Sequence, residues 1–227
     1  MNYYKIACRY VAPIFRIFFN YRIIGSGNLL WAAARGTVVV CTTHSSDLGG
    51  MIVGMAVSRV LETEPWIIVN VKYRRNHLTN FFLKDMNIVW IIGNDMLGNY
   101  PALKKIKELI VKGGKRAIIV APQGVYNKPL PDAIEFRQGF AIPCIQAVRG
   151  GASVNIVPAI DVGASYKGFP AFGRRIAAVF GLPIEVKKHA DRNGLTRTLE
   201  KSVKQLITVY GALFCACCLL ARIYARC

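Results

Sequence analysis

The stretch Thr37-Val38-Val39-Val40-Cys41-Thr42 is a short, mostly β-branched run, and Thr43-His44-Ser45-Ser46-Asp47 follows it directly. Such a run predicts a buried strand, because β-branched side chains pack well on a pleated sheet. In α/β folds, ligands and catalytic groups lie in loops just past the carboxyl ends of strands. His44 and Asp47 therefore stand where a functional site is expected.

Strands and helices alternate along the rest of the chain. Further strands are predicted over residues 66–71, 87–92, 116–120 and 154–160, with one or two more in 173–188; helices are predicted over 51–61, 101–112 and 140–148. This alternation predicts an α/β fold with a mixed, mostly parallel central sheet covered by helices. The 227 residues are enough for one domain with a hydrophobic core, and nothing reads as a linker or repeat.

The two ends of the chain differ from its middle. Residues 1–24 predict an amphipathic, membrane-associating helix region with a break near Pro13, and its apolar face could enter lipid or cover the domain's own core. The α/β domain is expected over residues 25–200, and an apolar helix over 201–227. The apolar run from Leu206 to Ala221 is shorter than the roughly 20 residues of a spanning helix, which favours a buried or interfacial helix.

The composition is both apolar and basic. The chain is 53% hydrophobic, with a net charge of +18. This combination fits a protein lying on an anionic membrane, where each basic residue near the surface adds roughly 1 kcal/mol of attraction. A basic cytosolic protein or an RNA binder is the alternative, but no nucleic-acid motif or interleaved aromatic-basic pattern is present. The seven cysteines lack zinc-ligand spacing, so reduced thiols are expected and no metal.

His44 with Asp47 is the minimum unit of a general base. The carboxylate would fix the imidazole tautomer, and the free ring nitrogen would take a proton from an attacking hydroxyl. In the alternative interpretation, His44 is a structural histidine and Asp47 caps a helix. The sequence contains no competing serine elbow, phosphate-binding glycine loop or metal-ligand cluster.

The order of short motifs resembles the glycerolipid acyltransferase family, which includes the lysophosphatidic acid acyltransferases. That family shows a His-x4-Asp block after a strand, a lysine-bearing block, a Phe-Pro-Glu-Gly-Thr-Arg block, a basic-x-Gly and a Val-Pro strand. The matching pieces, within residues 20–185, are His44-Ser45-Ser46-Asp47, Val71-Lys72-Tyr73-Arg74, Ala121-Pro122-Gln123-Gly124-Val125-Tyr126, Arg137-Gln138-Gly139 and Ile156-Val157-Pro158-Ala159.

The resemblance implies an O-acyltransferase of phospholipid biosynthesis, membrane-associated at the cytoplasmic face. It would move a fatty acyl chain from acyl-CoA or acyl carrier protein, as co-substrate, to a hydroxyl of a (lyso)lipid, with no cofactor. His44 would be the general base and Asp47 would orient it. The implied substrate-binding residues are Lys72, Arg74, Pro122, Gln123, Gly124, Arg137 and Gly139. The oligomeric state is not implied.

Four positions depart from the family pattern. The family's Asp falls five residues after the His, where this chain has Gly49; the Glu of the third block is Gln123, and its Arg is Tyr126. The Arg that usually ends the second block falls near Gly93 and Asn94. In the family, arginines of these blocks are associated with the acceptor's phosphate, so a non-phosphorylated lipid alcohol is an alternative acceptor. A catalytically inactive lipid-binding relative of the same fold is the alternative function.

Overall fold

The computed structural model describes residues 20–43, 49–72, 86–93, 97–114, 116–123, 134–163 and 175–224, together with residues 13, 17 and 95. Within this part of the chain the strands are β1 (Arg22–Ile24), β2 (Thr37–Thr42), β3 (Trp66–Asn70), β4 (Ile88–Ile91), β5 (Ala117–Val120), β6 (Val154–Val162), β7 (Ala177–Phe180) and β8 (Ile184–Glu185). The helices are α1 (Ser26–Arg35), α2 (Gly49–Leu61), α3 (Tyr100–Val111), α4 (Ala141–Arg149) and α5 (Arg192–Tyr224), and a 3₁₀ turn over Gln138–Phe140 precedes α4.

The strands of the described residues form one mixed sheet in the order β1-β7-β6-β2-β5-β3-β4, with β8 also paired to β6. Strands β6, β2, β5, β3 and β4 are parallel neighbours, whereas β7 and β8 run antiparallel to β6. The predicted mixed, mostly parallel central sheet is therefore confirmed. The apolar run Thr37–Thr42 forms β2, which lies between β6 and β5 and is buried along its whole length.

Alternate residues of the central strands face two hydrophobic cores. On one face, Val38 and Val40 of β2 and Val157 and Ala159 of β6 pack with the buried side chains of α1 and α2. On the other face, the intervening residues of the same strands, such as Val39, pack with α3, α4 and α5. Helices thus cover both faces of the sheet, which is why its central strands are apolar throughout rather than alternating with polar residues.

Strand β1 and helix α1 are not predicted from the sequence. The sequence pattern places residues 22–24 in the amphipathic helix region 1–24, whereas in the structure they form β1 and pair with β7. Gly25, with φ of 75°, turns the chain into α1, and any side chain there would clash with the carbonyl oxygen of Phe180. The helix prediction for the earlier residues falls almost entirely outside the described part of the chain.

The C-terminal apolar helix is the later part of α5. This helix begins at Arg192, before the predicted boundary at residue 201, and its backbone stays helical to Tyr224. Leu195, Leu199 and Val203 bury its first turns against the sheet. Among the described residues, no helix combines the length and apolar character needed to cross a membrane.

Candidate active site at the carboxyl edge of the sheet

The five parallel strands β6, β2, β5, β3 and β4 end at the same edge of the sheet, which we call the carboxyl edge. The segments that leave these strands there are the ones that carry most of the sequence-predicted site residues. Thr42 and Thr43, at the end of β2, are 2% and 3% exposed. His44 and Asp47 come next in the chain and lie outside the described residues, which resume at Gly49, the first residue of α2.

Pro122 and Gln123 follow β5, the neighbour of β2, and both are buried. Cys41 of β2 is in register with Val120 of β5. In the sequence, His44 comes three residues after Cys41, and Gln123 comes three residues after Val120. The side-chain amide of Gln123 carries both a hydrogen-bond donor and an acceptor. Gly124 lies outside the described residues.

Arg137 belongs to the same part of the edge, since its backbone N–H donates to the carbonyl oxygen of Pro122 at 3.0 Å. The segment before it is held on its other side, because the N–H of Phe136 donates to Glu200 Oε1 of α5 at 2.5 Å. Arg137 and Gly139 are both exposed. The fold thus brings together the Pro122-Gln123 and Arg137-Gln138-Gly139 blocks, although they are separated in the sequence.

Lys72 lies at the same edge but further along it. It follows β3, which is separated from β2 by β5. Its N–H donates to Asn70 Oδ1 at 3.0 Å, which turns the chain at the end of the strand, and the residue is exposed. Arg74 lies outside the described residues. Lys72 and Arg137 therefore add two cations to the carboxyl edge on the β5–β3 side.

Asp161 is an edge residue that the sequence analysis missed. It lies near the end of β6, is half-buried, and packs against the first residue of α2: a Cβ atom at Gly49 would lie 2.7 Å from Asp161 Oδ1. Glycine at position 49 is thus needed for the carboxyl group to occupy this place. One signal could have found it, since a chain with only 12 acidic residues carries one of them inside the apolar run Val154–Val162.

Two cysteines near this region are unsuited to act as nucleophiles. Cys41 of β2 and Cys144 of α4 are 0% and 1% exposed. Burial raises the pKa of the Cys144 thiol to about 12, and burial together with the neighbouring Cys144 raises the pKa of Cys41 well above its ordinary value. Both therefore stay protonated at neutral pH, and only the thiolate is a good nucleophile.

The class defined by these features is an α/β protein with helices on both faces of a mostly parallel sheet and polar groups gathered past its carboxyl edge. No family model matches the sequence, and a search of curated proteins finds no significant match. Among solved structures, the chain is similar to the 1-acyl-sn-glycerophosphate (LPA) acyltransferase PlsC from Thermotoga maritima, with 19% sequence identity and a TM-score of 0.65 over 92% of this chain and 80% of that chain. The predicted likeness to the fold of this family is confirmed.

Proposed function

We propose that the protein is an O-acyltransferase that moves a fatty acyl chain from an acyl thioester to a hydroxyl of a lysolipid-type acceptor. One observation carries the proposal. Three of the sequence blocks that resemble acyltransferase motifs follow the neighbouring parallel strands β2, β5 and β3 in the sequence. The block after β5 is joined to the Arg137-Gln138-Gly139 block by the hydrogen bond from the Arg137 N–H to the Pro122 carbonyl oxygen. The fold shared with an LPA acyltransferase supports it.

In the proposed reaction His44 acts as general base. It takes the proton of the acceptor hydroxyl as the oxygen attacks the thioester carbonyl, so a C–O bond forms and the C–S bond then breaks. The proton passes from the imidazolium to the departing thiolate, which leaves as the free thiol of coenzyme A or acyl carrier protein. Asp47 is the carboxylate nearest to His44 in the sequence, and an orienting role for it belongs to this proposal. The shielded thiols of Cys41 and Cys144 favour direct transfer over a cysteine-bound acyl intermediate.

The remaining edge residues would bind the substrates. Lys72, Arg74 and Arg137 are cations suited to the phosphates of the donor or to an anionic headgroup. Buried Gln123 and its neighbours Pro122 and Gly124 would shape the acceptor pocket, with Gly139 close to Arg137 in the chain. Glutamine in place of the family's glutamate keeps hydrogen-bonding capacity but removes a charge. Tyr126 in place of the family's arginine removes a cation associated with the acceptor's phosphate, which favours an acceptor headgroup different from that of lysophosphatidate.

The proposal predicts thiol release that depends on the acceptor. Purified protein with acyl-CoA and a panel of lysolipids, including lysophosphatidate and a non-phosphorylated monoacylglycerol, is expected to release coenzyme A at about 1 s⁻¹ or faster with at least one acceptor. Release would be followed with a thiol reagent, and the new ester by mass spectrometry. Acyl carrier protein would be tested as the alternative donor. Lipid binding without turnover for every donor–acceptor pair would support the inactive relative instead.

We further propose that the protein binds the cytoplasmic face of an anionic membrane through its basic surface. Arg197 and Lys201 are exposed one turn apart on α5, and Val209, about two turns further along the same helix, is half-exposed. Helix residues four apart share a face, so both charges would meet the membrane together. The apolar run Leu206–Ala221 then continues the same helix.

Reversing the charges of Arg197 and Lys201 to Glu is expected to weaken binding to phosphatidylglycerol-containing vesicles. Losing the attraction of two basic residues, at roughly 1 kcal/mol each, corresponds to a binding constant about 30-fold lower, and repulsion of the two new carboxylates by the anionic surface lowers it further. Vesicle co-sedimentation at several salt concentrations would measure the change. The matched control reverses Lys104 of α3 and Lys188 of the turn before α5, two exposed lysines outside α5. An equal loss in both double variants would contradict a specific role for the α5 face.

A further inference from the structure

The first observation concerns the space at the start of α2. Position 49 is where the motif of the resembled family carries its aspartate, and here it is a buried glycine. The space in front of it is filled by the carboxyl group of Asp161, whose Oδ1, Cγ and Oδ2 lie 2.7, 2.9 and 3.1 Å from the position of a Cβ at residue 49. A carboxylate is therefore present at this place, delivered by β6 instead of by α2.

The second observation is the register of the sheet. Thr42 of β2 pairs with Ala159 of the parallel strand β6. In the sequence, His44 comes two residues after Thr42, and Asp161 comes two residues after Ala159. In parallel strands, residues in register point to the same face, and side chains alternate with a period of two. Val157 and Ala159 face the core of α1 and α2, so Asp161 continues that series toward α2. Thr43, the residue before His44 in the sequence, is buried at the end of β2.

We propose that Asp161 is the positioning residue for His44, replacing the carboxylate that position 49 lacks. The inference rests on the proposed function. A carboxylate orients an imidazole base by accepting a hydrogen bond from one ring N–H, which fixes the tautomer that leaves the other nitrogen free to take a proton. It also stabilises the imidazolium that forms when the acceptor hydroxyl loses its proton. Asp47, nearest to His44 in the sequence, is then not required for this role.

A structural role for Asp161 is also consistent with its position. A negative side chain near the N-terminus of a helix is stabilising, and α2 has no acidic residue of its own in its first turn. Removing Asp161 entirely therefore tests two roles at once. Asparagine separates them, because it keeps the shape and the oxygen acceptor that a helix N-terminus needs, but it loses the charge that supports an imidazolium.

Asp161→Asn is expected to lower kcat roughly 100-fold, since proton transfer by a positioned base contributes about 10² to 10⁴ in rate. KM is expected to change by less than about threefold and the melting temperature by less than about 2 °C, because a conservative change that keeps the helix cap alters stability little. The matched control is Asp191→Asn. Asp191 accepts the N–H of Gly194 at 2.8 Å at the start of α5, so it is also an aspartate at a helix start. Control kcat is expected to stay within about twofold of the wild type.

A swap of positions provides the second test. Asp161→Ala is expected to be as inactive as Asp161→Asn and to free the space before Gly49. Adding Gly49→Asp to it returns a carboxylate to the same place from α2, and kcat is expected to rise at least tenfold above that of Asp161→Ala. A purely structural contribution of Asp161 would not produce this gain in kcat.

Two results would overturn the inference. One is full activity of Asp161→Asn in a protein whose wild type turns over and whose His44→Ala variant does not. The other is loss of kcat in Asp47→Asn while Asp161→Asn remains active. Both leave the acyltransferase proposal standing. Absence of turnover in the wild type with every acceptor is a different result, which contradicts the proposed function itself.

Discussion

His44→Ala is expected to lower acyl transfer by at least about 100-fold, because a neutral alcohol is a weak nucleophile and needs a base to accept its proton. The loss should appear in kcat at saturating acceptor and donor, since the imidazole is proposed to act on the reacting hydroxyl and not on substrate binding. Thiol release from acyl-CoA, measured under the conditions that give turnover in the wild type, would determine it.

The control for this variant is His189→Ala. His189 is exposed and precedes α5, so its removal tests whether any histidine loss disturbs the assay. Circular dichroism and melting temperature should be unchanged in both variants. Wild-type turnover by His44→Ala would contradict the proposed mechanism. Lipid binding by His44→Ala should be unchanged even though its turnover is lost. A non-catalytic lipid binder would show no turnover in the wild type, so this pair of measurements distinguishes the two functions.

The central strands could be predicted because each one is buried on both faces. Val38 and Val39 face opposite cores, so the strand has no polar face and reads as a continuous β-branched run. Covered parallel strands give this pattern, and their order with intervening helices then indicates the fold class. The same reasoning indicated the segment that follows β2 as a place for functional residues, because catalytic groups of α/β folds lie past the carboxyl ends of strands.

Elements with weak local patterns were missed. Helix α1 spans only ten residues, buries Leu29 and Ala32 alone, and has no side-chain cap at its N-terminus. Its exposed face even carries apolar side chains, with Leu30 51% and Trp31 42% exposed. Strand β1 is three residues long and exists through its pairing with β7, a partner far along the chain. Such segments obtain their structure from tertiary contacts, which a local pattern does not contain.

The carboxylate partner of His44 also depends on tertiary structure that a local sequence pattern does not contain. The sequence offers Asp47 as the partner of His44 because the two are neighbours in the chain. The sheet instead places β6 beside β2, and this brings the carboxyl group of Asp161 against Gly49. Strand order is not encoded in any short window, so an aspartate from β6 could not be assigned to this edge from spacing. Gly49 is a local sequence feature that reflects this arrangement, because a larger side chain there would collide with the Asp161 carboxyl group.

Helix α5 gives the largest expected effect on stability. Its first turns carry Leu195, Leu199 and Val203 at four-residue intervals, and Leu199 is 0% exposed within the core that includes Cys144 and Ile156. Replacing Leu199 with Ala removes buried methyl groups and leaves a cavity. We expect a loss of about 3 kcal/mol in the free energy of unfolding, within the range of about 2–5 kcal/mol for such changes. For a domain of this size that lowers the melting temperature by roughly 6–12 °C.

Val209→Ala on the same helix is the matched control. Val209 is 51% exposed, and its truncation is expected to change stability by less than about 0.5 kcal/mol. Thermal unfolding without lipid or detergent separates two roles of α5. If the helix begins as part of the domain core, as the burial of Leu199 indicates, only Leu199→Ala lowers the melting temperature. Equal stability of the two variants would mean that α5 acts as a peripheral segment along its whole length. In that case the hydrogen bond from the Phe136 N–H to Glu200 of this helix would not hold the segment that contains Arg137 in place at the carboxyl edge.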